Sequence, residues 1–346
     1  MALSWSVESA RRQEWRSIGV QHGTAAKTHI ERSIDFYASV FQETSKLDWP
    51  QVQDIAGSFS EHIKKTWPEY HEEMQGVAAG SDRSILDIVA LNVRTEIAFG
   101  RFSDGCTALA WHTEKRAYLG QNWDWMERQK ENLIILKISQ PGKPSIQMIT
   151  EAGIIGKIGF NSNGVGVCLN AIKAKGMDPE RLPVHLGLRM ALESHSANEA
   201  VQALERWGMA APAHILIADA NDAVGFEFTS KTTAKLLPDI KGRVVHSNHL
   251  LLEHPGITDT VWIKDSLFRV DRMADLCNKL PIEPTWAEVS KLFEDEENYP
   301  TAICRDQKAG STSATLFNIV MDLKQRTGIV RMGRPTTVEE TVTLAL

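Results

Sequence analysis

A cysteine preceded by an acidic residue and a glycine stands in the stretch SDGCTAL, residues 103–109, and these neighbours together can cut their own chain. Gly105 permits backbone geometries closed to other residues, and Asp104 brings a carboxylate close to the same peptide bond. A thiol beside a strained Gly–Cys peptide can attack the preceding carbonyl, pass through a thioester and lose the upstream chain to water. The stretch therefore predicts self-cleavage between Gly105 and Cys106.

Cleavage at this bond would make Cys106 an N-terminal residue that carries both parts of a nucleophilic site. A free α-amino group has an ordinary pKa of about 7.7 to 8, so it can accept the thiol proton without a histidine. Other nucleophiles are activated by an N-terminal amine in the same way. Cys168 and Cys277, by contrast, fit small buried apolar side chains.

Two further polar residues are candidates for the same site. Asp124, in GQNWDW (120–125), follows Cys106 at the length of two short strands and a turn, so it can return to the cysteine and orient the new amine. The alternative for this residue is a turn or cap aspartate. Asn248, in VVHSNH (244–249), ends a β-branched run, and its amide can donate to a developing oxyanion. Such a donor contributes roughly 3 to 4 kcal/mol in acyl transfer.

Metal binding is not predicted. His246 and His249 are three positions apart, as metal ligands can be, but no third and fourth ligand follows at a plausible spacing. The HExxH motif is also absent from the sequence.

The composition is that of a globular enzyme that acts on small molecules or peptides. The chain has 346 residues, of which 42% are hydrophobic, and a net charge of −6 with no long basic run, which argues against nucleic acid as a partner. Its four cysteines are scattered, as is typical of reduced thiols inside a cell. The N-terminus lacks a signal-peptide pattern and no stretch has membrane-spanning length, so we expect a cytoplasmic protein without a membrane partner.

The hydrophobic pattern changes near residue 103. Before it, apolar residues recur at helical spacing in three segments, around 30–40, 55–67 and 85–91, with Ser81-Asp82 as the expected cap of the last. After it come short β-rich runs and four helical stretches. The strand candidates are 107–111, 117–120, 133–138, 146–149, 164–169, 213–219, 223–229, 244–247, 314–321 and 328–332, and the helical ones are 183–194, 197–207, 265–279 and 285–294. This order favours a layered α+β protein with largely antiparallel pairing.

Several stretches resemble the fungal acyl-coenzyme A:6-aminopenicillanic acid acyltransferase (isopenicillin N acyltransferase) family of the N-terminal nucleophile hydrolases. They run in order through nearly the whole chain. The matching stretches are QHGTAAK (21–27), RSIDF (32–36), LNVRTEIAFG (91–100), DGC (104–106), GQNWDW (120–125), ITEAGIIGKIGFNSNGVGV (149–167), HSNH (246–249), DEENYPTAICR (295–305) and ATLFNIV (314–320).

The resemblance implies an αββα sandwich of stacked antiparallel sheets preceded by a helical segment. The precursor would cut itself into an α chain, 1–105, and an αββα β chain, 106–346, which stay together as a heterodimer. Cys106 would be the nucleophile, Asp124 its neighbour and Asn248 an oxyanion donor.

The resemblance also implies residues on the substrate side of the site. Arg305 and Thr107 would contact substrate, and an arginine can clamp a carboxylate with its fork, although an ordinary ion pair is the alternative. No cofactor is expected, and acyl-coenzyme A is a candidate co-substrate.

Two departures from the family pattern bear on the substrate. Ala108 replaces the second threonine of Cys-Thr-Thr, and Thr312 stands where the family has an arginine. We therefore expect a paralogue with a different acceptor, which forms an acyl-cysteine from a thioester or amide donor and passes the acyl group to an amine. One alternative is an amidase that hydrolyses N-acyl amino acids or peptide-like amides. Another is a non-catalytic binding relative.

Overall fold

Two β-sheets lie face to face between layers of helices. The computed structural model describes residues 3–8, 14–98 and 105–346, so Asp104 of the cleavage motif lies outside the described residues. The helices of this part are α1 (Glu14–Ala25), α2 (Lys27–Ser45), α3 (Trp49–Thr66), α4 (Pro68–Ser81), α5 (Ile85–Asn92), α6 (Arg94–Ala98), α7 (Val184–Leu192), α8 (Ala197–Trp207), α9 (Asp265–Asn278) and α10 (Trp286–Leu292). A 3-10 helix covers Glu127–Asn132.

The strands form one sheet of eight and one of six among the described residues. They are β1 (Leu3–Glu8), β2 (Gly105–His112), β3 (Ala117–Trp125), β4 (Leu133–Ser139), β5 (Ile146–Glu151), β6 (Ile158–Asn161), β7 (Gly166–Ala171), β8 (Ala213–Ala218), β9 (Ala223–Phe228), β10 (Thr233–Leu236), β11 (Arg243–His246), β12 (Ala314–Asp322), β13 (Thr327–Met332) and β14 (Glu340–Ala345). The larger sheet has the order β1-β4-β5-β6-β7-β8-β9-β10, and the smaller has β11-β2-β3-β12-β13-β14. Pairing is antiparallel except between β1 and β4.

The side chains of β2 show how the layers are built. Cys106, Ala108 and Ala110 belong to the large core that lies between the sheets and beneath helices α1–α8. Leu109 and Trp111 belong to a second core that β2, β3 and β12 form with α9 and α10. Because successive strand residues point to opposite faces, the cysteine faces the space between the sheets. The layers are helices, sheet, sheet and helices, which is the predicted αββα arrangement.

The predicted strands and helices are all present, with additions and one error in a helix cap. The elements that were not predicted are β1, α1, α4 and α6 before residue 103, and β6, β10 and β14 after it. The expected cap of the last N-terminal helix is wrong. Ser84 caps α5 with a capping box to Asp87, whereas Ser81 ends α4 and Asp82 terminates it in the left-handed region.

Helix α4 was not predicted because glycines, and not large apolar residues, make its contact with α1. A Cβ at Gly19 would lie 1.9 Å from the Glu73 carbonyl oxygen, and one at Gly76 would lie 2.2 Å from that of Arg16. The two helix backbones therefore touch, and the periodic apolar signal that identifies a helix in a sequence is weak here.

None of the helices in the described ranges combines enough length and apolar character to cross a membrane.

Candidate active site

The β2–β3 hairpin brings the predicted cleavage site and Asp124 together. Gly105 is paired with Asp124, and Cys106 with Trp123, in the antiparallel register. The carboxylate of Asp124 occupies the space where another residue at 105 would place its side chain, since a Cβ on Gly105 would lie 3.0 Å from Asp124 Oδ2. Glycine at 105 therefore allows a carboxylate to pack directly against the backbone of the predicted scissile bond.

Asn248 contacts both the backbone and the thiol of Cys106. The Cys106 N–H donates to Asn248 Oδ1 at 2.9 Å, and Asn248 Nδ2 donates to Cys106 Sγ at 3.2 Å. The thiol in turn donates to the Leu169 carbonyl at 3.2 Å. Cys106 is fully buried. The amide that the sequence suggested as an oxyanion donor thus lies within hydrogen-bond distance of the proposed nucleophile.

Three donors converge on the carbonyl oxygen of Cys106. They are Arg269 Nη1 at 2.7 Å, Ser247 Oγ at 3.0 Å and Asn170 Nδ2 at 3.3 Å. A carbonyl oxygen has two lone pairs, so this one is more than saturated. The backbone of the cysteine is therefore fixed on its C-terminal side, where the predicted cleavage leaves the chain intact.

Asp124 is a buried carboxyl that is only partly satisfied. Its Oδ1 accepts from Thr315 Oγ1 at 2.7 Å, and Arg305 Nε lies 3.5 Å from Oδ2, which has no hydrogen-bond partner among the described residues. Burial raises the pKa of Asp124 to about 6, while Arg305, Arg269 and the bond from Thr315 act in the opposite direction. This carboxyl can exchange a proton near neutral pH.

The raised pKa gives a testable pH dependence of stability. Because the unfolded-state pKa is about 3.9, the folded protein holds an extra proton between about pH 4 and pH 6. The free energy of unfolding should therefore fall as pH rises through this window, by about 3 kcal/mol from this group. We expect Asp124→Asn to remove that decrease. Urea unfolding at pH 4 and pH 6.5, in a Cys106→Ala background that keeps the chain intact, measures it, and equal pH slopes with and without Asp124 would contradict the assignment.

Two buried arginines share one carboxylate behind the site. Asp265, the first residue of α9, accepts from Arg269 Nε at 2.8 Å and forms a short ion pair with Arg305 Nη2. Arg269 Nη2 also donates to Asn248 Oδ1 at 2.8 Å. Three ion pairs connect Asp124, Arg305, Asp265 and Arg269 in that order, and a hydrogen bond connects Arg269 to the oxyanion candidate Asn248.

The two residues expected on the substrate side have partners within the protein. Arg305 is engaged by Asp124, by Asp265 and, through Nη1, by Ser311 Oγ at 3.1 Å. Thr107 lies on the face of β2 opposite to Cys106 and accepts from Arg269 Nη1 at 2.9 Å. In this structure Thr107 thus positions an arginine, and its hydroxyl does not face the thiol, because strand residues alternate between faces.

Sequence analysis missed Arg269, Asn170 and Ser247. A signal exists for Arg269, since the buried residues of α9 are Ser266, Arg269, Met273 and Cys277, at helical spacing. An arginine on the buried face of a helix needs partners in the core. Asn170, within a buried strand, carries the same signal.

Comparisons with known proteins identify the family of this chain. The model of the family "Acyl-coenzyme A:6-aminopenicillanic acid acyl-transferase" matches residues 111–337. Acyl-coenzyme A:6-aminopenicillanic-acid-acyltransferase 40 kDa form from Emericella nidulans is 45% identical over 329 residues, which are 94% of this chain and 92% of that protein. The chain belongs to this family. The resemblance stated from its motifs is confirmed, and so is the prediction of an enzyme of acyl transfer or amide hydrolysis.

Solved structures support the fold of this family member. Two variants of conjugated bile acid hydrolase from Clostridium perfringens match with TM-scores of 0.50 and 0.51 at 13% and 14% identity. The matches cover 70% and 69% of this chain, and 92% of each of those chains. At that identity the likeness concerns the fold alone. The predicted N-terminal nucleophile hydrolase fold is confirmed.

Proposed function

We propose that this acyltransferase-family member is a self-processing cysteine enzyme that forms an acyl-cysteine at Cys106 and passes the acyl group to an amine. The observation that carries the proposal is the position of Asn248, whose amide bonds both the N–H and the thiol of Cys106. A residue held in that way fits a nucleophile whose own amine becomes the base.

The cleavage step begins with attack of Cys106 Sγ on the carbonyl carbon of Gly105. The C–N bond to Cys106 breaks, its nitrogen takes up the proton lost by the thiol, and a thioester forms. Water then hydrolyses the thioester to give the Gly105 carboxylate, a free thiol and the α-amine of Cys106. Asp124, packed against Gly105, can hold or release a proton during the transfer because its pKa is about 6.

The acyl-transfer step uses the groups that cleavage creates. The α-amine of Cys106 accepts the thiol proton, and the thiolate attacks the carbonyl of a thioester or amide donor. Asn248 Nδ2, which contacts Sγ, stabilises the oxyanion that forms. The leaving thiol or amine takes the proton from the α-amine. An acceptor amine then attacks the acyl-cysteine to give an amide, whereas water gives the acid.

Three buried contacts support the proposal that chains 1–105 and 106–346 stay together after cleavage. Arg94 pairs with Glu151 at 3.0 Å, Arg189 pairs with Glu73 at 2.8 Å, and Glu96 accepts from the Val184 N–H at 2.8 Å. Their side chains are fully or almost fully buried. Each joins a residue before the cleavage site to one after it.

Glu151 gives the sharpest test of this association, because it also accepts from Lys157 at 2.5 Å. Glu151→Gln would remove the buried carboxylate that Arg94 and Lys157 share. We expect the free energy of unfolding of the cleaved protein to fall by about 3 to 5 kcal/mol. Urea unfolding and size-exclusion chromatography measure stability and chain separation. As a control, Glu339→Gln removes an exposed pair with Lys130 and should change stability by less than about 1 kcal/mol. Equal effects would contradict the proposed role.

The acceptor is proposed to differ from the penicillin nucleus. Ala108 lacks the hydroxyl of the family pattern, and Thr312 lacks a positive charge at an exposed position next to Ser311, which Arg305 contacts. We propose an acceptor that has no carboxylate at that point. We propose acyl-coenzyme A or another thioester as the donor, and no cofactor.

An acyl-transfer assay separates the alternatives. The purified protein is given acyl thioesters of N-acetylcysteamine with and without a panel of primary amines, and the product and the peptide beginning at Cys106 are analysed by mass spectrometry. Amide formation with an acyl adduct on Cys106 would support the transferase. Acid release that no amine diverts would favour the amidase, and an unacylated, uncut chain would favour the binding relative.

A further inference from the structure

His246 lies two residues before Asn248 and is fully buried. Its Nδ1 lies 2.8 Å from the Ser247 carbonyl oxygen, and its Nε2 lies 2.8 Å from Glu227 Oε1. A carbonyl oxygen can only accept, so Nδ1 must carry a hydrogen. The ring therefore fixes the peptide that joins Ser247 to Asn248.

Glu227 secures the other end of the same loop. Its carboxylate oxygens accept from the N–H groups of Leu251 at 2.6 Å and Leu252 at 3.1 Å. Burial acts to raise the pKa of Glu227, but the bonds from His246, Leu251 and Leu252 outweigh it and hold that pKa below its ordinary value. The Glu227 carboxylate also contacts Nε2 of His246, so it joins the ring to the backbone of Leu251 and Leu252.

A second branch leads from the same ring to Cys106. The ring of His214 stacks on that of His246 with centroids 3.5 Å apart and planes 12° apart, and its Nδ1 lies 2.9 Å from Asn170 Oδ1. This contact orients Asn170 so that Nδ2 donates to the Cys106 carbonyl oxygen. Burial and the neighbouring His246 keep the pKa of His214 well below its ordinary value, so the His214 ring is neutral.

We propose that Glu227 and His246 form a positioning pair for the acyl-transfer site, which holds Asn248 through the Ser247 carbonyl and Asn170 through the His214 ring. Neither residue touches the reacting atoms. The proposal rests on the proposed role of Cys106 as nucleophile. It assigns a function to the histidine of the HSNH stretch that the sequence offered only as a metal-ligand candidate.

The test compares substitutions on either side of the pair in the cleaved enzyme. Glu227→Gln removes the carboxylate that contacts Nε2 of His246, and His246→Gln removes the ring nitrogen that donates to the Ser247 carbonyl. Both should slow acylation of Cys106 by an N-acetylcysteamine thioester by about 10- to 100-fold, with KM changed by less than about threefold, because they displace a catalytic donor without touching substrate. His246→Asn, which can place an amide near the position of Nδ1, should lose less than His246→Gln.

The matched control is His254→Gln. His254 lies 3.2 Å from the same carboxylate at Oε2, but its other ring nitrogen contacts Thr232, away from the 247–248 peptide. We expect acylation within about twofold of the wild type. Wild-type rates for both Glu227→Gln and His246→Gln, or an equal loss in His254→Gln, would overturn the proposal.

A spectroscopic measurement remains decisive if a variant fails to fold. In ¹⁵N-histidine-labelled wild-type protein, Nδ1 of His246 should carry a hydrogen, because it lies against the Ser247 carbonyl oxygen. A ring without a hydrogen on Nδ1 would overturn the positioning contact. If the wild type forms no acyl-Cys106, the proposed function fails together with the positioning role, and a hydrogen on Nδ1 would then mark the pair as structural only.

Discussion

Cys106→Ala should abolish acyl transfer, with a loss of at least about 10³-fold, because it removes the thiol that contacts the amide of Asn248. The other thiols are poor substitutes. Cys168, Cys277 and Cys304 are buried, and burial raises the pKa of each. The measurement is the initial rate of amide or acid release from a thioester.

Two further variants serve as controls for this prediction. Cys168→Ala, also a buried thiol, should retain activity within a few-fold, since removal of one small buried group changes packing rather than chemistry. Cys106→Ser keeps the shape of the residue with a much weaker nucleophile and should fall far below the wild type. Activity in Cys106→Ala comparable to the wild type would move the chemistry to another residue.

The second large effect is expected at Arg269. This guanidinium donates to the Cys106 carbonyl, to Asn248 Oδ1 and to Asp265, so Arg269→Met removes one support from each. We expect the rate of acylation to fall by at least about 100-fold, the size of effect that follows loss or displacement of an oxyanion donor. Arg269→Lys should recover only part of it, because an ammonium group cannot bridge three oxygens with a fixed fork.

Arg272→Met is the matched control for Arg269. Arg272 lies one turn further along α9 and pairs with Asp295 and Glu297 near the surface. Its loss should leave the acylation rate within about twofold. Urea unfolding of both variants separates an effect on the site from an effect on folding. A folded Arg269→Met variant that acylates at the wild-type rate would contradict the role given to Arg269.

The local pattern of the chain predicts the strands well and the N-terminal helices less well. Strands such as β2 and β12 are rich in apolar residues and buried along nearly their whole length, and the pairings of β2 with β3 and of β12 with β13 follow from short turns. Helices α1 and α4 pack through Gly19 and Gly76, and glycines do not contribute to a periodic apolar pattern in the sequence. The parallel pairing of β1 with β4 joins segments more than a hundred residues apart, so no local turn signal announces it.

The site shows the same division. Cys106, Asp124 and Asn248 stand out because each lies in a short motif, and the structure brings all three together. Arg269 and Asn170 are set within a helix and a strand, where only the long-range packing shows that they face Cys106. The family resemblance implies a role for each of the predicted residues, and the hydrogen bonds show which side chains hold these residues in place.

Self-cleavage by Cys106 is tested by the mass of the purified wild-type chain under denaturing conditions, beside a Cys106→Ala control. We expect two fragments in the wild type, one ending at Gly105 and one beginning at Cys106, and one intact chain in the control. A single intact wild-type chain, or the same cut in both proteins, would contradict self-cleavage by Cys106.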